Sequence, residues 1–359
     1  MFTVRLSRVP RGARVVCASV AACSVLALSA CSSHAAHEGE NVVPNCGHDV
    51  VFEREPQRVL TMGAESITTL SHLGVLDRVA ARAGSYPEEY FDESIRSALT
   101  EVPSLTDRVD ATGHIQISTE QVAAVDPDVV LGASDTVTFE SMQAQGIPLI
   151  NEPAFCGALE GPASFEDVWD QVATYGKVFH REERAAEYVA ELKERLAELA
   201  IPGATDAGQS RADASPGRAG DEGSAHPLTV AVLYPTIGGG VTYAYGTRSM
   251  SHPVVEAAGL TNVYSDVNKR VFEVSAEDIA ARQPDLIISL YTAGDPAAVV
   301  QATKDLPGAK TLPAVQKGRI LPLLLNYAEP STPLAVDGVE KIHEFADKAA
   351  PEWRKATAE

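Results

Sequence analysis

The sequence predicts an α/β protein of two similarly built lobes, each on a mainly parallel sheet, joined by one long bridging helix. Three observations carry this. Residues 117–132 (ISTEQVAAVDPDVVLG) and 274–289 (VSAEDIAARQPDLIIS) echo one another at an offset of 157, with Ser118/Ser275, Glu120/Glu277, Ala123/Ala280, Ala124/Ala281, Pro127/Pro284 and Asp128/Asp285 identical. Each copy ends on an apolar run, VVLG or LIIS, of the kind a parallel sheet buries on both faces. Between the copies lies a charged, helix-favouring stretch.

Each echo has the same physical layout. Ser is the N-cap, acidic residues in the first turn complement the helix dipole, and Pro-Asp ends the helix before the strand. The flanking segments fit. Arg58–Met62 and Val79–Ala83 read as short strands, and Glu65–Gly74 as a helix with Ile67, Leu70 and Leu73 on one face and Gly74 as its stop. In the second half Leu228–Tyr234 reads as a strand and Ser251–Gly259 as a helix. Ser164–Phe179 is a helix with Phe165, Val168, Trp169 and Val172 on its apolar face. Arg181–Leu199 continues it, with i,i+3 and i,i+4 ion pairs and a stripe of Tyr188, Leu192, Leu196 and Leu199. Residues 201–227 are nearly all Gly, Ala, Ser, Pro, Asp and Arg, too polar to bury a core, and read as a disordered surface insertion.

The amino terminus reads as an export signal. Arg5, Arg8, Arg11 and Arg14 precede an Ala-rich apolar run that is too short to cross a bilayer. The run ends at Leu28-Ser29-Ala30-Cys31, which resembles the lipobox of bacterial lipoproteins. That resemblance implies a diacylglyceryl thioether on Cys31, with palmitate-type acyl chains, and cleavage that leaves Cys31 as the mature terminus. The polar residues that follow suit a flexible tether. Of the five cysteines, Cys17 and Cys23 leave with the signal and Cys31 takes lipid. Cys46 and Cys156 remain, an even pair in an oxidising compartment, and a disulfide between them is expected. The mature chain carries 25 basic and 49 acidic residues, a formal charge of −24. That argues against nucleic acid and against a polybasic membrane surface. The expected divisions are a signal at 1–30, a tether at 31–45, an N-terminal lobe at 46–163, bridging helices at 164–200, an insertion at 201–227 and a C-terminal lobe at 228–350.

Five segments in order resemble the substrate-binding lipoproteins of ATP-binding cassette importers, in the family that binds ferric siderophores, haem and vitamin B12. They are PQRVLTMGAESITTLSHLGVLDRV (56–79), STEQVAAVDPDVVLG (118–132), SHPVVEAAGLTNVY (251–264), VSAEDIAARQPDLIIS (274–289) and LPAVQKGRILPL (312–323). The resemblance implies a class III periplasmic-binding fold: two Rossmann-like lobes, one rigid helix, and a ligand in the cleft between them. It also implies that Glu120 and Glu277, one per lobe, pair with arginines of an ABC permease, besides supporting their own helices. The implied role is a monomeric, membrane-anchored receptor on the outer face of the cell membrane that passes an iron chelate to its permease.

Ligands of open α/β folds sit at the carboxyl ends of the strands. That rule selects the loops holding Met62, Glu65, Tyr86, Tyr90, Tyr243, Tyr245, Arg248, Tyr291 and Tyr327 as the candidate site. Tyrosines offer a flat apolar face with a polar tip, and arginine offers bidentate donors to an anion. Both suit a ferric siderophore. Haem is an alternative, with Tyr243 or Tyr245 as axial ligand and His114 or His252 opposite, and cobalamin is another. The histidines are scattered, so no metal site and no resident cofactor are expected. An exported hydrolase or a non-transport envelope lipoprotein are rivals of another class. No GxSxG, GxGxxG or GxxxxGK[ST] is present, which argues against an enzyme.

Overall fold

The computed structural model describes residues 41–110, 114–159, 161–199 and 228–351. Cys31, the expected export signal, residues 31–40 of the expected tether and the expected insertion at 201–227 lie outside the described residues. The chain enters through a hairpin of β1 (Asn41–Asn45) and β2 (His48–Phe52). Its turn places Cys46 at φ 53° and Gly47 at φ 79°, the two left-handed positions that a tight hairpin of this twist demands. The expectation of a tether over residues 41–45 is therefore not met. Residues 41–45 are a strand because Val43, Val50 and Phe52 bury one face of the hairpin, while Val42 and Val51 stay outside. Cys46 and Cys156 are joined in a disulfide with Cα atoms 6.0 Å apart.

The first lobe alternates strand and helix. Its elements are β3 (Val59–Met62), α1 (Ile67–His72), β4 (Val79–Ala83), α2 (Glu93–Glu101), β5 (Ser104–Thr106), α3 (Thr119–Ala123), β6 (Val129–Leu131), α4 (Phe139–Gln143), β7 (Leu149–Ile150) and α5 (Pro153–Cys156). The sheet runs β5-β4-β3-β6-β7, and every pairing is parallel. Two helices follow, α6 (Phe165–Val178) and α7 (Glu182–Leu199). They are separated by a sharp break in which His180 adopts φ 51°.

The second lobe comprises β8 (Thr229–Pro235), β9 (Thr242–Tyr245), α8 (Ser251–Ala257), β10 (Thr261–Asn262), β11 (Val271–Glu273), α9 (Ala276–Arg282), β12 (Leu286–Tyr291), α10 (Pro296–Lys304), α11 (Pro313–Gln316), β13 (Ile320–Leu324) and α12 (Leu334–Ala349). Its sheet runs β11-β9-β8-β12-β13, with β10 also on β8. The β10, β12 and β13 pairings are parallel, and β9 and β11 add an antiparallel edge.

The echoed aspartates have one job in both lobes. Asp128, just before β6, accepts the backbone N–H groups of Gln57 and Arg58 at 2.8 and 3.0 Å, at the start of the neighbouring strand β3. Asp285, just before β12, accepts the N–H and hydroxyl of Thr229 at 3.0 and 2.9 Å, at the start of β8. Each carboxylate thus ties the entry of one central strand to the entry of the next. Burial alone would raise Asp128, but Arg54 at 2.8 Å and the two N–H donors outweigh it and hold the group below its ordinary value. The residue ahead of each Pro-Asp, Asp126 or Gln283, has positive φ, which is how both helices stop.

Bridging is done by α6 and α7 lying side by side. The start of α6 adjoins the second lobe, where the Ala163 N–H donates to the Thr247 carbonyl at 2.9 Å. At its far end the Asn41 side chain reaches the Lys177 carbonyl at 2.7 Å. The long helix α7 then touches both lobes. Tyr188 stacks on His72 of α1 with ring centroids 3.7 Å apart, and Arg195 pairs with Asp337 of α12 at 2.6 Å. Ile67, Leu70, Val172, Leu192, Leu334 and Val339 fall in one continuous buried cluster, so the lobes share a core along this seam. Among the described residues no helix is long and apolar enough to cross a membrane.

Replacing Asp285 by Ala should strand the N–H of Thr229 at the mouth of the second sheet. An unfolding free energy lower by about 1–3 kcal/mol is expected, with the denaturant slope unchanged. A wild-type midpoint in that variant would show that the carboxylate is not needed.

Candidate functional site

A cleft of about 660 Å³ opens between the lobes. Its walls are the residues that follow the carboxyl ends of the strands: Met62–Ser66 after β3, Ser85 and Pro87 after β4, Gly132–Asp135 after β6, Asn151 and Glu152 after β7, Thr236 after β8, Thr292 after β12, and Leu325 and Asn326 after β13. This follows from topology. Parallel strands aim the free carbonyl ends of all their loops to one side, and α6 and α7 turn the two such sides toward each other.

The loops were legible, but only some of the expected side chains reach the cleft. Met62, Glu65, Tyr90, Tyr243 and Tyr245 line it. Tyr86, Arg248, Tyr291 and Tyr327 do not. Tyr86 turns back onto its own sheet. Its hydroxyl donates to the Thr61 carbonyl at 3.0 Å and meets Thr61 Oγ1 at 2.7 Å, and Arg82 lies over its ring. Arg248 is held by Asn268 Oδ1 at 3.0 Å. Tyr291 ends the central strand β12 and is buried there. Tyr327 joins the lobes instead. Its hydroxyl donates to the Glu89 carbonyl, and its ring meets Tyr90 edge-on at 5.0 Å. Beside it the Asn326 N–H donates to Tyr90 Oη at 2.8 Å, a further tie between the lobes.

The wall has a charged side that the sequence did not reveal. Arg270 reaches the cleft just ahead of β11, donates from Nη1 to Glu329 Oε1 at 2.6 Å and lies 5.4 Å from the Phe155 ring of the opposite lobe. Glu329 is 1% exposed, and its second oxygen accepts from Ser249 Oγ at 2.6 Å and the Met250 N–H at 2.9 Å. The buried carboxylate thereby fixes the guanidinium. Phe155 sits on α5, 43% exposed, beside the disulfide. Tyr234 and Phe139 add further aromatic surface.

At the first-lobe end lie two carboxyls, Glu65 and Glu152. Gly63, at φ 94°, makes room for Glu65. A Cβ there would fall 2.1 Å from Glu65 Oε2. Glu152 is 3% exposed, and its Oε1 accepts from Gln171 Nε2 and Tyr175 Oη, both at 3.0 Å. Thr69 in turn donates to Gln171 Oε1 at 3.2 Å. Asn45 and Asn151 exchange hydrogen bonds of 3.0 and 2.8 Å, which fastens the entry hairpin to the loop carrying Glu152. Burial, helped by the Glu152 charge, pushes Glu65 from 4.5 up to about 7 against its own backbone N–H and the Asn326 side chain. Burial also pushes Glu152 up to about 7, against the two donors that favour its charged form. Burial raises the phenols of Tyr90, Tyr175 and Tyr245.

His114 lines the cleft, whereas His252 is half-buried at the start of α8 with Glu256 at 3.4 Å. The scattered histidines give one grouping after all. Asp110, His114 and Asp135 gather at the cleft rim, all exposed, with one ligand-type atom of each within 4.8 Å of the others. Away from the cleft, Glu120 and Glu277 are exposed in the first turns of α3 and α9. Each is held below its ordinary value by its own backbone N–H and then by the capping serine, so both are charged at neutral pH.

The family model described as periplasmic binding protein matches residues 59–323. Among solved structures, a protein of the ABC-type Fe3+-hydroxamate transport system from Saccharomonospora viridis is 44% identical, with a TM-score of 0.76 over 85% of this chain and 98% of that one. A periplasmic binding protein from Veillonella parvula is 18% identical, with a TM-score of 0.63 over 86% and 97% of the two chains. A periplasmic heme binding protein from Pseudomonas aeruginosa is 17% identical, with a TM-score of 0.60 over 82% and 93%. The last two show likeness of fold alone. Among curated proteins none is a significant match.

The raised carboxyls set a pH dependence. Folded Glu152 holds its proton up to about 7, whereas the unfolded group releases it near 4.5. The folded state therefore binds more protons across that window, and ligand-free stability falls as pH rises through it. In Glu152→Gln the decline should be shallower, as read from thermal midpoints of the ligand-free protein against pH. An unchanged slope would mean that Glu152 ionises freely in the fold.

Proposed function

Because the chain belongs to the periplasmic binding protein family, whose members bind solutes for ABC transport and are not enzymes, we propose that it captures a ferric siderophore of hydroxamate type and delivers it to an ABC importer. The observation that carries this is the cleft itself. It is about 660 Å³, walled by Tyr90, Phe139, Phe155, Tyr234, Tyr243 and Tyr245, with Arg270 held at its side. A ferric hydroxamate is a bulky chelate with oxygen-rich and apolar faces. Aromatic rings suit the apolar faces, and the end of the Arg270 fork not used by Glu329 suits a ligand oxygen. The relation to the Saccharomonospora protein, at 44% identity over nearly the whole of that chain, supports the hydroxamate class.

Haem is the second reading, favoured by one observation. Tyr243 and His114 line the cleft from opposite lobes. Titration with ferric hydroxamates, haem and cobalamin separates these readings, followed by intrinsic fluorescence and, for haem, by its absorption band. Saturable quenching by a ferric hydroxamate is the expected result. Saturation by haem alone, with a band that shifts in wild type and not in Tyr243→Ala, would replace the siderophore reading.

Delivery would use Glu120 and Glu277, two exposed charges on echoed helices, as contacts for permease arginines, with lipid on Cys31 holding the receptor at the outer face of the membrane. Tethering raises the effective concentration at the permease. With both glutamates reversed to Arg, cellular uptake of labelled chelate should be lost while the Kd of the purified protein stays at the wild-type value. Undiminished uptake would remove these residues from docking.

A further inference from the structure

Aromatic rings and Arg270 account for a chelate, but they leave Glu65 and Glu152 without a task. These carboxyls follow β3 and β7, the strands on either side of β6, and both line the cleft. Glu152 Oε1 is occupied by Gln171 and Tyr175. Glu152 Oε2 is buried and has no hydrogen-bond partner among the described residues. A buried acceptor of this kind is costly unless something supplies a donor. Among the described residues no Arg or Lys acts on either carboxyl. The guanidinium in the cleft wall belongs to Arg270, and it is paired with Glu329 in the other lobe. A donor that enters the cleft with a ligand would meet this acceptor.

We propose that Glu65 and Glu152 form a receptor for a positively charged amine, so that the cargo is a ferric hydroxamate carrying an ammonium appendage. This rests on the ferric hydroxamate reading and narrows it. An ammonium has three donors and no acceptor, which complements the unpartnered Glu152 Oε2 and, beside it, Glu65, which already takes its own backbone N–H and the Asn326 side chain. Charge-assisted hydrogen bonds of this type are the strong ones, and a water-poor wall strengthens them further. The chelate body would then lie toward the tyrosines and Arg270, with the amine end down at the first lobe. Both carboxyls stand near 7 when the cleft is empty, so an arriving cation should also expel a proton around neutral pH.

The test compares two probes on the wild-type protein: ferrioxamine B, a linear ferric trihydroxamate with a free terminal amine, and the same chelate N-acetylated on that amine. The amine form should bind at least about tenfold more tightly. Its binding near pH 7 should release protons, seen as a calorimetric heat that varies with the ionisation enthalpy of the buffer. Glu152→Gln and Glu65→Gln should each shrink the ratio between the two chelates. The ratio is read within one variant, so a general loss of affinity does not imitate the effect. Equal affinity of the wild type for both chelates overturns the inference and leaves the ferric hydroxamate reading standing. Failure to bind either chelate overturns both.

Discussion

Two lobes can share one cleft only if the segment between them holds both at a fixed angle, and here that depends on how closely α6 and α7 approach. Gly176 of α6 faces Ala185 of α7, and a Cβ at 176 would lie 2.6 Å from the Ala185 Cβ. The contact therefore tolerates no side chain at that position. Close approach lets one face of α7 carry Tyr188 and Arg184 onto α1 and Arg195 onto α12. Both sheets are thus referred to one rigid hairpin of helices, and the open ends of their strands meet. Were the helices further apart, the cross-lobe hydrogen bond from Asn326 to Tyr90 could not form.

Within that frame the two lobes treat the same side chain differently. Glu329 in the second lobe is surrounded by donors: a guanidinium, a hydroxyl and a backbone N–H. It is structural, and its effect on the cleft is to hold Arg270 still. Glu152 in the first lobe is equally buried but only half satisfied. Burial disfavours its charge, and that charge in turn acts on Glu65 nearby. A fully paired carboxylate fixes shape, whereas a partly paired one stores a demand. The cleft is therefore polarised along its length, with a held cation on one lobe and an unpartnered acceptor on the other.

Much of the frame was legible in the sequence, because it is written in local patterns. The echoed Ser-x-Glu helices, the Pro-Asp stops and the four-residue apolar runs place strands and helices in both lobes by short-range chemistry alone. The echo did not show what Asp128 and Asp285 are for, since their partners lie 56 to 74 residues earlier in the chain. Site loops were found by the strand-end rule, but side-chain direction was not. Tyr86 and Tyr291 sit beside the cleft in sequence and turn into the sheets instead. Glu152 was missed because its strand, Leu149–Ile150, is only two residues long. The run Ile147-Pro148-Leu149-Ile150 ahead of Asn151 was the signal that could have found it. Arg270 and Glu329 meet across 59 residues, and no local pattern announces such a pair.

The entry hairpin has a mechanical consequence. The chain ahead of Asn41 joins the body at β1, and two short strands would peel apart one hydrogen bond at a time under a pull. The bond between Cys46 and Cys156 changes the path of that load. Tension arriving at β1 crosses covalently into α5 and the loop holding Glu152, a part already braced by the Asn45–Asn151 exchange and by α6. A body tugged from its amino terminus would therefore swing as a whole about that anchor rather than unravel from it, and its cleft would keep its shape while it swings.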